Sequence, residues 1–505
     1  MVPSDSLLGS TAGRMDFVAA HELWNDEQQA AAAALQEQLD GLDFVRVVYG
    51  DPHGLARSKT VTADVFRTVL RNGMDASPGP FIFDTGHAVA VDFFADGGGI
   101  AVDELTGAGD FVVVPDPRTF HVLSHAGRPT GWVVGDEHLR DGSPHPLSSR
   151  AVLRRQCDRL AARDLGFVVG LEVEWYLTRY TDGGRVERIG GFGVQGSAPA
   201  VEAVNGGYQF NSDGLLDGVM PVLEPLIDAL MALNLPLRAI EHESGPGQLE
   251  FTFNPMEGLA AADAMLLFRT VTKQVLARSG HHASFMALPG LPGFDPSGWH
   301  LHQSLVERSS GRNLFVAESP GDVLSRLGMR YLGGLIDHAA AASLLCVPTI
   351  NGYRRMQTGF SLSPDRIGWC MENRGAFLRV LGAGGDPASH IENRSGEPTA
   401  NPYLYLAGQL SAGLDGIDRM IEPGEAVRDP HDAAAPALPA TLDEALAAFT
   451  HSAHYRGVLG DALHDCMRLL KGSERARYED WRAQADPVAD DTVSAWEHRE
   501  YFGTF

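Results

Sequence analysis

Residues 241–255 read EHESGPGQLEFTFNP, and the interpretation of the whole chain starts from this stretch. After the Gly-Pro-Gly turn, polar and apolar side chains alternate from residue 248 to residue 254. Such alternation is typical of a strand with one face on a core and the other in a cleft. Glu243 and Glu250 stand on either side of the turn, and two carboxylates directed at one point repel unless a cation lies between them. A solvated hairpin is the alternative interpretation of this stretch taken alone.

Three further segments place charged or imidazole side chains two residues apart, opposite an apolar face. Their polar faces are Glu172, Glu174 and Tyr176; His300, His302 and Ser304; and His390, Glu392 and Arg394. Residues two apart on a strand project about 6.5–7 Å apart, so converging strands could hold two or three cations close together. Glutamate oxygens with one histidine suit Mg²⁺ or Mn²⁺ rather than structural zinc. With arginines nearby, such a site predicts nucleotide-dependent phosphoryl transfer or ligation.

Composition limits the classes of protein to which the chain belongs. Its formal net charge of -25 argues against nucleic acid and anionic membranes as partners. No run of about 18 apolar residues predicts a membrane span, and no basic segment followed by an apolar one predicts a secretory signal. Four scattered cysteines without a Cys-x-x-Cys pair argue against a disulfide framework or a zinc ribbon. They favour a reducing, cytoplasmic location.

The order of the predicted elements indicates an α+β chain of more than one domain. Residues 1–20 are predicted to be a mobile tail, residues 21–140 a small domain dominated by strands, and residues 141–505 a larger domain. The turn-rich segment DGSPHPLSS begins the larger domain, and Ser148 or Ser149 can cap the basic helix that follows. Helices are also predicted over 23–42, 256–279 and 318–346.

Six motifs, in order and with similar spacing, resemble the glutamine synthetase superfamily over nearly the whole chain. They are GLEVEWYL (170–177), HESGPGQLEFTFNP (242–255), SGWHLHQSL (297–305), NGYRRM (351–356), ENRGAFLRV (372–380) and IENRSGEPTANPYLYLAGQLSAGLDGI (391–417).

The resemblance implies an N-terminal β-grasp-like domain and a catalytic domain with a curved antiparallel sheet and helices. It implies a ring homo-oligomer of two stacked hexamers, a dodecamer, in which a neighbour's N-terminal domain completes each active site. The implied chemistry is ATP-dependent formation of a γ-glutamyl phosphate, which an amine then attacks to give an amide. The implied cofactors are ATP and Mg²⁺ or Mn²⁺, and the implied partners are a glutamate-like acid and an amine.

The resemblance also implies roles for individual residues. One metal ion would be bound by Glu174, Glu243 and Glu250, and the other by Glu172, His300 and Glu392. The nucleotide would be bordered by His302 and Ser304, with Arg374 and Arg379 on its phosphates. The acid's carboxylates and the acyl phosphate would be held by Arg355 and Arg394, which makes Arg355 and Arg374 catalytic.

Three assignments have alternatives at this point. Arg379 also fits a structural ion pair, and Tyr208, assigned to the nucleotide site, also fits a core tyrosine. The neighbour's catalytic aspartate has three candidates, Asp51, Asp75 and Asp84; we choose Asp75, which follows an Asn-Gly turn.

Departures from the family pattern bear on the substrate. The loop glutamate that serves ammonia-using members falls on Ser361, which removes a carboxylate and opens space. An Asn-Gly pair that contacts the acid becomes Asp295-Pro296, so Asp295 could recognise an ammonium or signal an altered acid. His390 replaces an arginine near the nucleotide with a group that titrates. Residues 423–440 contain no tyrosine where adenylylated relatives carry theirs, so that regulation is not expected.

These changes resemble the branch of the superfamily that makes γ-glutamylamides from organic amines such as polyamines, ethanolamine, alkylamines or anilines. A free organic amine needs only a weak base to lose its proton, so the missing loop glutamate is tolerable. The prediction is an ATP-dependent γ-glutamylamine ligase. The alternatives are a divergent glutamine synthetase that uses ammonia, a ligase acting on another acid, and a non-catalytic scaffold.

Overall fold

The computed structural model describes residues 15–184, 187–319, 321–356, 362–382, 384–485 and 492–505. The chain divides into two compact units. The N-terminal unit contains the residues up to Tyr49 together with Arg57–Pro78 and Gly109–His145. The C-terminal unit contains Gly50–Ala56, Gly79–Ala108 and Pro146–Phe505. Two short segments of the predicted first domain therefore group with the second.

The N-terminal unit is a mixed sheet with helices. Among the described residues, its elements are helices α1 (Phe17–Ala20), α2 (Asp26–Leu39) and α3 (Ala63–Asn72) and strands β1 (Phe44–Gly50), β2 (Ala56–Thr62), β3 (Met74–Ala76), β4 (Phe111–Pro115), β5 (His121–Val122) and β6 (Thr130–His138). The strand order is β2-β1-β6-β4-β3, with β5 on β6. β1 and β6 are parallel, whereas β4 is antiparallel to both β3 and β6.

The start of the N-terminal unit is ordered by two local features. Helix α1 lies within the predicted tail, and its Val18 is buried against Val112 and Val114 of β4. Helix α2 begins with a capping box, in which the Asn25 side chain accepts from the Gln28 N–H and the Gln28 side chain accepts from the Asn25 N–H.

The C-terminal unit carries the remaining elements. Its helices in the described residues are α4 (Gly79–Ile82), α5 (Ser149–Ala161), α6 (Asp213–Ala232), α7 (Gly258–Arg278), α8 (Arg326–Asp337), α9 (Ala339–Cys346), α10 (Gly352–Arg355), α11 (Pro402–Arg419), α12 (Leu442–Thr450), α13 (Ala453–Leu459), α14 (Asp461–Arg482) and α15 (Ala495–Tyr501). Its strands are β7 (Leu165–Tyr180), β8 (Val201–Ala203), β9 (Leu237–His242), β10 (Gln248–Phe253), β11 (Met256–Glu257), β12 (His281–Ser284), β13 (Trp299–Glu307), β14 (Trp369–Met371), β15 (Leu378–Leu381) and β16 (His390–Asn393).

These strands form one sheet in the order β14-β15-β16-β13-β7-β10-β9, with β8, β11 and β12 also paired to the long strand β7. The pairs along this order are antiparallel except β14 with β15, which are parallel. The sequence prediction of an α+β chain with an antiparallel sheet agrees with this arrangement.

Strand β7 lies in the middle of the sheet. Its two faces differ in polarity as the sequence predicts. Phe167, Leu171 and Trp175 are buried on the face that packs against the core. Glu172 and Glu174 lie on the opposite face, half-buried. The alternation of the sequence therefore sets which side chains enter the cleft.

The helix predictions hold at α5 and need correction at 318–346. Ser148 caps α5, since its hydroxyl accepts from the Ala151 N–H (3.1 Å). The stretch 318–346 is not one helix: α8 starts after its cap Ser325 and ends at Asp337, and His338 leaves helical geometry before α9 begins. No helix in the described parts of the chain is both long and apolar enough to cross a membrane.

Candidate active site

Four neighbouring antiparallel strands bring the predicted acidic and imidazole side chains opposite one another. Glu250 of β10 pairs with Glu174 of β7, and His300 of β13 pairs with Glu172 of β7. On the other side of β13, His302 pairs with Glu392 of β16. Directly opposed residues in an antiparallel pair share a face of the sheet, so these side chains form one continuous row.

The ligand atoms of this row lie close enough to share cations. Three groups within this row offer atoms that lie within 4.8 Å of one another, and each could hold a metal ion. These groups are Glu172, Glu250 and His300; Glu172, His302 and Glu392; and Glu241, Glu243 and Glu250. The groups overlap, so the row fits two or three adjacent cations rather than one isolated ion.

One half of the row, which we call the acidic half, consists of Glu241, Glu243 and Glu250. Burial and the neighbouring carboxylates of Glu174, Glu241 and Glu172 raise the pKa of Glu243 to about 8. Burial, followed by the charges of Glu172 and Glu174, raises the pKa of Glu250 to about 10. Carboxylates in this state take up either protons or a multivalent cation. The donor set therefore fits Mg²⁺ or Mn²⁺.

The other half, which we call the paired half, contains Glu172 and Glu392. His300 Nδ1 lies 2.6 Å from Glu172 Oε1, and His302 Nε2 lies 3.0 Å from Glu172 Oε2. Burial favours the neutral form of Glu172, but the hydrogen bonds from both histidines outweigh it and hold its pKa below the ordinary value.

Glu392 is the fully buried carboxylate of the paired half. Arg379 Nη1 donates to Glu392 Oε2 (3.1 Å), and Arg394 Nη1 donates to Glu392 Oε1. Burial opposes ionisation of Glu392, yet His300 and Arg394 lower its pKa overall. The paired half is therefore charge-compensated by the protein, whereas the acidic half is not.

The predicted phosphate and carboxylate arginines differ in their surroundings. Arg379 forms ion pairs with both Glu392 and Glu372, and its Nη2 donates to Glu372 Oε2 (2.8 Å). These contacts agree with the alternative prediction that Arg379 is part of a structural ion pair. Arg374 is exposed in the turn between β14 and β15. Arg355 is buried beside His300 and donates to the carbonyl oxygens of residues 394–396 at 2.9–3.1 Å. Arg355 thus fixes the backbone that carries Arg394.

Segment 293–298 is hydrogen-bonded to strands β7 and β10, which carry part of the carboxylate and imidazole row. The Tyr176 hydroxyl donates to the Asp295 carbonyl oxygen (2.8 Å) and accepts from the Asp295 N–H (2.7 Å). The Gln248 Nε2 group donates to the Pro296 carbonyl oxygen (2.9 Å) and to Ser297 Oγ (3.0 Å). The Gly298 N–H donates to Glu174 Oε2 (2.8 Å). Asp295 therefore sits on a rigid segment at the edge of the row, and burial raises its pKa.

The remaining nucleotide-site predictions lie in different parts of this unit. The Tyr208 hydroxyl donates to the Gly293 carbonyl oxygen (2.9 Å), so Tyr208 belongs with segment 293–298 and is exposed rather than a core residue. Ser304 is buried on β13, two residues beyond His302. His390 Nε2 lies 2.9 Å from His302 Nδ1, which links the residue replacing the family's arginine to the row. Ser361 lies outside the described residues.

The three aspartate candidates differ in exposure. Asp51 is buried and accepts from the N–H groups of His53 and Leu55, both at 2.9 Å. Asp84 is also buried, and its carboxylate accepts from Arg477 Nε (2.8 Å). Asp75 lies in β3 of the N-terminal unit, where its half-exposed carboxylate pairs with Arg140 (2.8 Å). Asp75 is thus the candidate whose carboxylate is open to solvent.

Sequence reasoning missed three residues of this site. Glu241 belongs to the acidic half, and its spacing of two residues from Glu243 was the available signal. Tyr176 and Gln248 lie on the polar faces of β7 and β10, but nothing in the sequence indicated that they hold segment 293–298.

The chain is similar to known proteins over most of its length. Residues 146–489 match the family model described as "Glutamine synthetase, catalytic domain". A protein of Acinetobacter sp, "Gamma-glutamylanilide synthase", is 42% identical over 499 residues, which cover 97% of this chain and 99% of that protein. A "Glutamine synthetase" of Halobacterium salinarum is 29% identical over 494 residues, covering 95% and 97%.

Solved structures show the same architecture. One described as "Apo GmaS without ligand" has a TM-score of 0.73 with 26% sequence identity, covering 93% of this chain and 98% of that one. Another, described as "GmaS/ADP complex-Conformation 1", has a TM-score of 0.72 with the same coverage. The predicted fold is confirmed by these matches.

Proposed function

The chain belongs to the glutamine synthetase family of ligases, and from that premise we propose that it joins the γ-carboxyl group of glutamate to an organic amine, using ATP. The observation that carries the proposal is the row of carboxylates and imidazoles across four strands, with its uncompensated acidic half. Carboxylates repel the phosphates of a nucleoside triphosphate, so this row can bind one only when divalent cations lie between the two.

The donor set supports two divalent-cation sites. Glu174, Glu243 and Glu250 would hold one Mg²⁺ or Mn²⁺. The structure groups Glu243 and Glu250 with Glu241, and Glu174 lies opposite Glu250 on β7. The other would be held by Glu172, His300 and Glu392. When bound, these ions would neutralise charge on the phosphates and on the transferred phosphoryl group.

Positive side chains of the chain itself would complete the binding of the anionic substrates. His302 and Ser304 would border the nucleotide, and Arg374 and Arg379 would contact its phosphates. Arg394, beside Glu392, would bind a carboxylate of the acid, and Arg355 would hold the backbone of residue 394 in place. A γ-glutamyl phosphate formed there would lose phosphate when the amine attacks its carbonyl carbon.

The identity of the amine is supported by similarity and by chemistry. The 42% identical relative is described as a gamma-glutamylanilide synthase, so an arylamine is the first candidate. Arylamines are neutral at pH 7 and need no carboxylate for binding, in agreement with serine at position 361. Asp295, on its fixed segment, would bind the α-ammonium group of glutamate.

Assembly and location belong to the same proposal. A ring homo-oligomer would let Asp75 of one subunit complete the site of its neighbour, and the exposure of its carboxylate is compatible with that role. All four cysteines are free thiols, as expected in the cytoplasm.

The experiment is phosphate release from ATP with Mg²⁺ and glutamate, comparing aniline, isopropylamine, methylamine, ethanolamine, putrescine, spermidine and ammonium at equal concentrations. The proposal expects an organic amine, with aniline first, to support a rate well above that with ammonium. Preferred turnover with ammonium would overturn it in favour of a glutamine synthetase. No turnover with any amine would require other acids to be tested in place of glutamate.

A further inference from the structure

A second group of metal-binding side chains lies in the C-terminal unit, away from the strands of the candidate active site. It consists of His338, Asp415 and His454, which we call the helix-junction cluster. His338 stands between α8 and α9, Asp415 is in α11, and His454 is in the first turn of α13. The cluster therefore connects four helices and uses no residue of the carboxylate row.

The side chains of the cluster are in direct contact. His338 Nε2 lies 2.7 Å from Asp415 Oδ2. The rings of His338 and His454 stack with their centroids 3.9 Å apart and their planes 20° apart. One ligand atom from each of the three residues lies within 4.8 Å of the other two. The three ligand atoms therefore surround one point. Because the two imidazole rings are stacked, they must turn about their side-chain bonds to direct a nitrogen lone pair at a shared ion.

An adjoining cavity gives the cluster access to solvent. Asp415 and His454 line a cavity of about 800 Å³, together with Arg155 and Arg159 of α5. A metal site with three protein ligands needs a fourth position for water or another small ligand. The cavity supplies that position.

The ligand types select the kind of ion. Two imidazoles and one carboxylate suit Zn²⁺ and other late first-row transition metals, whereas Mg²⁺ prefers oxygen ligands such as those of the carboxylate row. We propose that the helix-junction cluster binds one transition-metal ion of the Zn²⁺ type, with His338, Asp415 and His454 as ligands.

His454 makes one further contact outside the cluster. Its Nε2 atom lies 3.3 Å from the hydroxyl oxygen of Ser411, a contact that keeps the ring oriented.

Arg419 would compete with a bound metal ion for the carboxylate of Asp415. Its Nη1 atom donates to Asp415 Oδ2 and to Asp337 Oδ2, both at 2.8 Å. Its side chain is about half-exposed, so it can leave Asp415 and retain Asp337. Binding at the cluster therefore replaces one cation on Asp415 by another, and removing Arg419 must strengthen it.

The test uses the whole chain in excess Mg²⁺, which competes for the oxygen-rich row. Co²⁺ is titrated and its visible d–d absorption is recorded, followed by displacement with Zn²⁺. The proposal expects one Co²⁺ per chain with the intensity of a four-coordinate site, and a rise in the melting temperature on addition of Zn²⁺ because the ion joins four helices.

Variants assign the signal to the cluster. His454→Ala removes a ligand, so the Co²⁺ affinity falls by more than the roughly 10–100-fold that loss of a supporting partner costs. The matched control is His451→Ala, an exposed histidine three residues earlier, which keeps the signal. Arg419→Gln strengthens binding and remains informative if His454→Ala fails to fold. The proposal is overturned if the wild type binds no Co²⁺ in excess Mg²⁺, if Arg419→Gln leaves the affinity unchanged, or if His300→Ala abolishes the signal.

Discussion

The acidic half and the paired half of the carboxylate row are built from the same residue type on adjacent strands, yet their electrostatics are opposite. In the paired half, His300, His302 and two arginines surround Glu172 and Glu392, whose pKa values fall. In the acidic half, burial and the charges of other carboxylates raise the pKa values of Glu243 and Glu250. The protein supplies counter-charge in the paired half, where a second cation would also bind, whereas the acidic half depends on a cation alone.

This difference separates two roles that a glutamate can have in one site. A carboxylate of the paired half contributes to stability whether or not a metal ion is bound. A carboxylate of the acidic half reduces the stability of the metal-free protein, and it gains an oppositely charged partner only when a metal ion binds. Substitutions in the two halves are therefore expected to differ in the sign of their effect on stability.

The largest expected effect is on activity, from Glu250→Gln in the acidic half. The loss of one cation ligand lowers kcat/KM by on the order of 10²-fold or more, since bound metal ions contribute several kcal/mol to transition-state stabilisation. The same change raises the unfolding free energy of the metal-free protein, because glutamine avoids the cost of taking up a proton at residue 250 on folding. Steady-state kinetics and urea unfolding in EDTA measure the two effects.

Glu202→Gln is the matched control for Glu250→Gln, since Glu202 pairs with Arg179 on the exposed part of the same sheet. It leaves both quantities nearly unchanged. A Glu250→Gln protein that is less stable than the wild type without metal contradicts the distinction between the two halves.

The next effect is on stability, from Glu392→Gln in the paired half. Arg379 and Arg394 lose a buried partner, which lowers the unfolding free energy of the metal-free protein by about 3 kcal/mol. Thermal and urea unfolding check this value. Glu372→Gln removes the exposed partner of Arg379 and is the control, with an expected change below about 1 kcal/mol. Equal losses for the two variants would show that the burial of Glu392 carries no special weight.

A smaller effect is expected from pH. Glu243 and Glu250 have ordinary pKa values of 4.5 that burial and neighbouring charges raise to about 8 and about 10. The metal-free folded protein thus holds protons that the unfolded chain releases, so its unfolding free energy falls by a few kcal/mol as the pH rises from about 5 to 8. Glu172 and Glu392, whose pKa values are lowered, contribute stability above pH 4.5 and lose it in acid.

Mg²⁺ reverses the decline between pH 5 and 8, because cation binding displaces the protons of the acidic half. The stabilisation by Mg²⁺ therefore grows with pH, and Glu250→Gln flattens this growth. Melting temperatures in EDTA and in Mg²⁺ across this range give the comparison. A stabilisation by Mg²⁺ that is independent of pH would contradict the raised pKa values.

The smallest effect is expected at Tyr176→Phe, next to the acidic half. Segment 293–298 loses both bonds from the Tyr176 hydroxyl, so Asp295 is less well positioned. The KM for glutamate rises by about tenfold, with a smaller change in kcat. Tyr180→Phe, on the same strand, is the control with unchanged kinetics. A fall in kcat with constant KM would assign Tyr176 to a later step than binding of the acid.

The sequence was sufficient where one side-chain pattern determined one structural outcome. The alternation in residues 167–177 predicted β7 and both of its faces, and the motifs around Glu243 and His300 predicted the family and the row. It was insufficient where two elements distant in the chain meet. The ion pairs of Glu392 depend on strand register. The hydrogen bond between the Tyr176 hydroxyl and the Asp295 backbone joins residues 119 positions apart.

The break at His338 shows the same limit for helices. Pro320-Gly321 is a local signal for a later start of the first helix. Residues 326–346 contain no proline, so their local preferences gave no reason to divide them at His338. His338 contacts Asp415 of α11, which is 77 positions away, and a local sequence pattern cannot predict such a contact. The helix-junction cluster follows from that contact.

The fate of oxygen from glutamate distinguishes a γ-glutamylamine ligase from other activities. Glutamate labelled with ¹⁸O in its γ-carboxyl group is incubated with ATP, Mg²⁺ and aniline, and the products are analysed by mass spectrometry. We predict γ-glutamylanilide together with phosphate that carries one ¹⁸O atom per amide formed, because the acyl phosphate transfers that oxygen when the amine attacks. Unlabelled phosphate, or labelled phosphate accompanied only by glutamine when ammonium is also present, would contradict a γ-glutamylamine ligase.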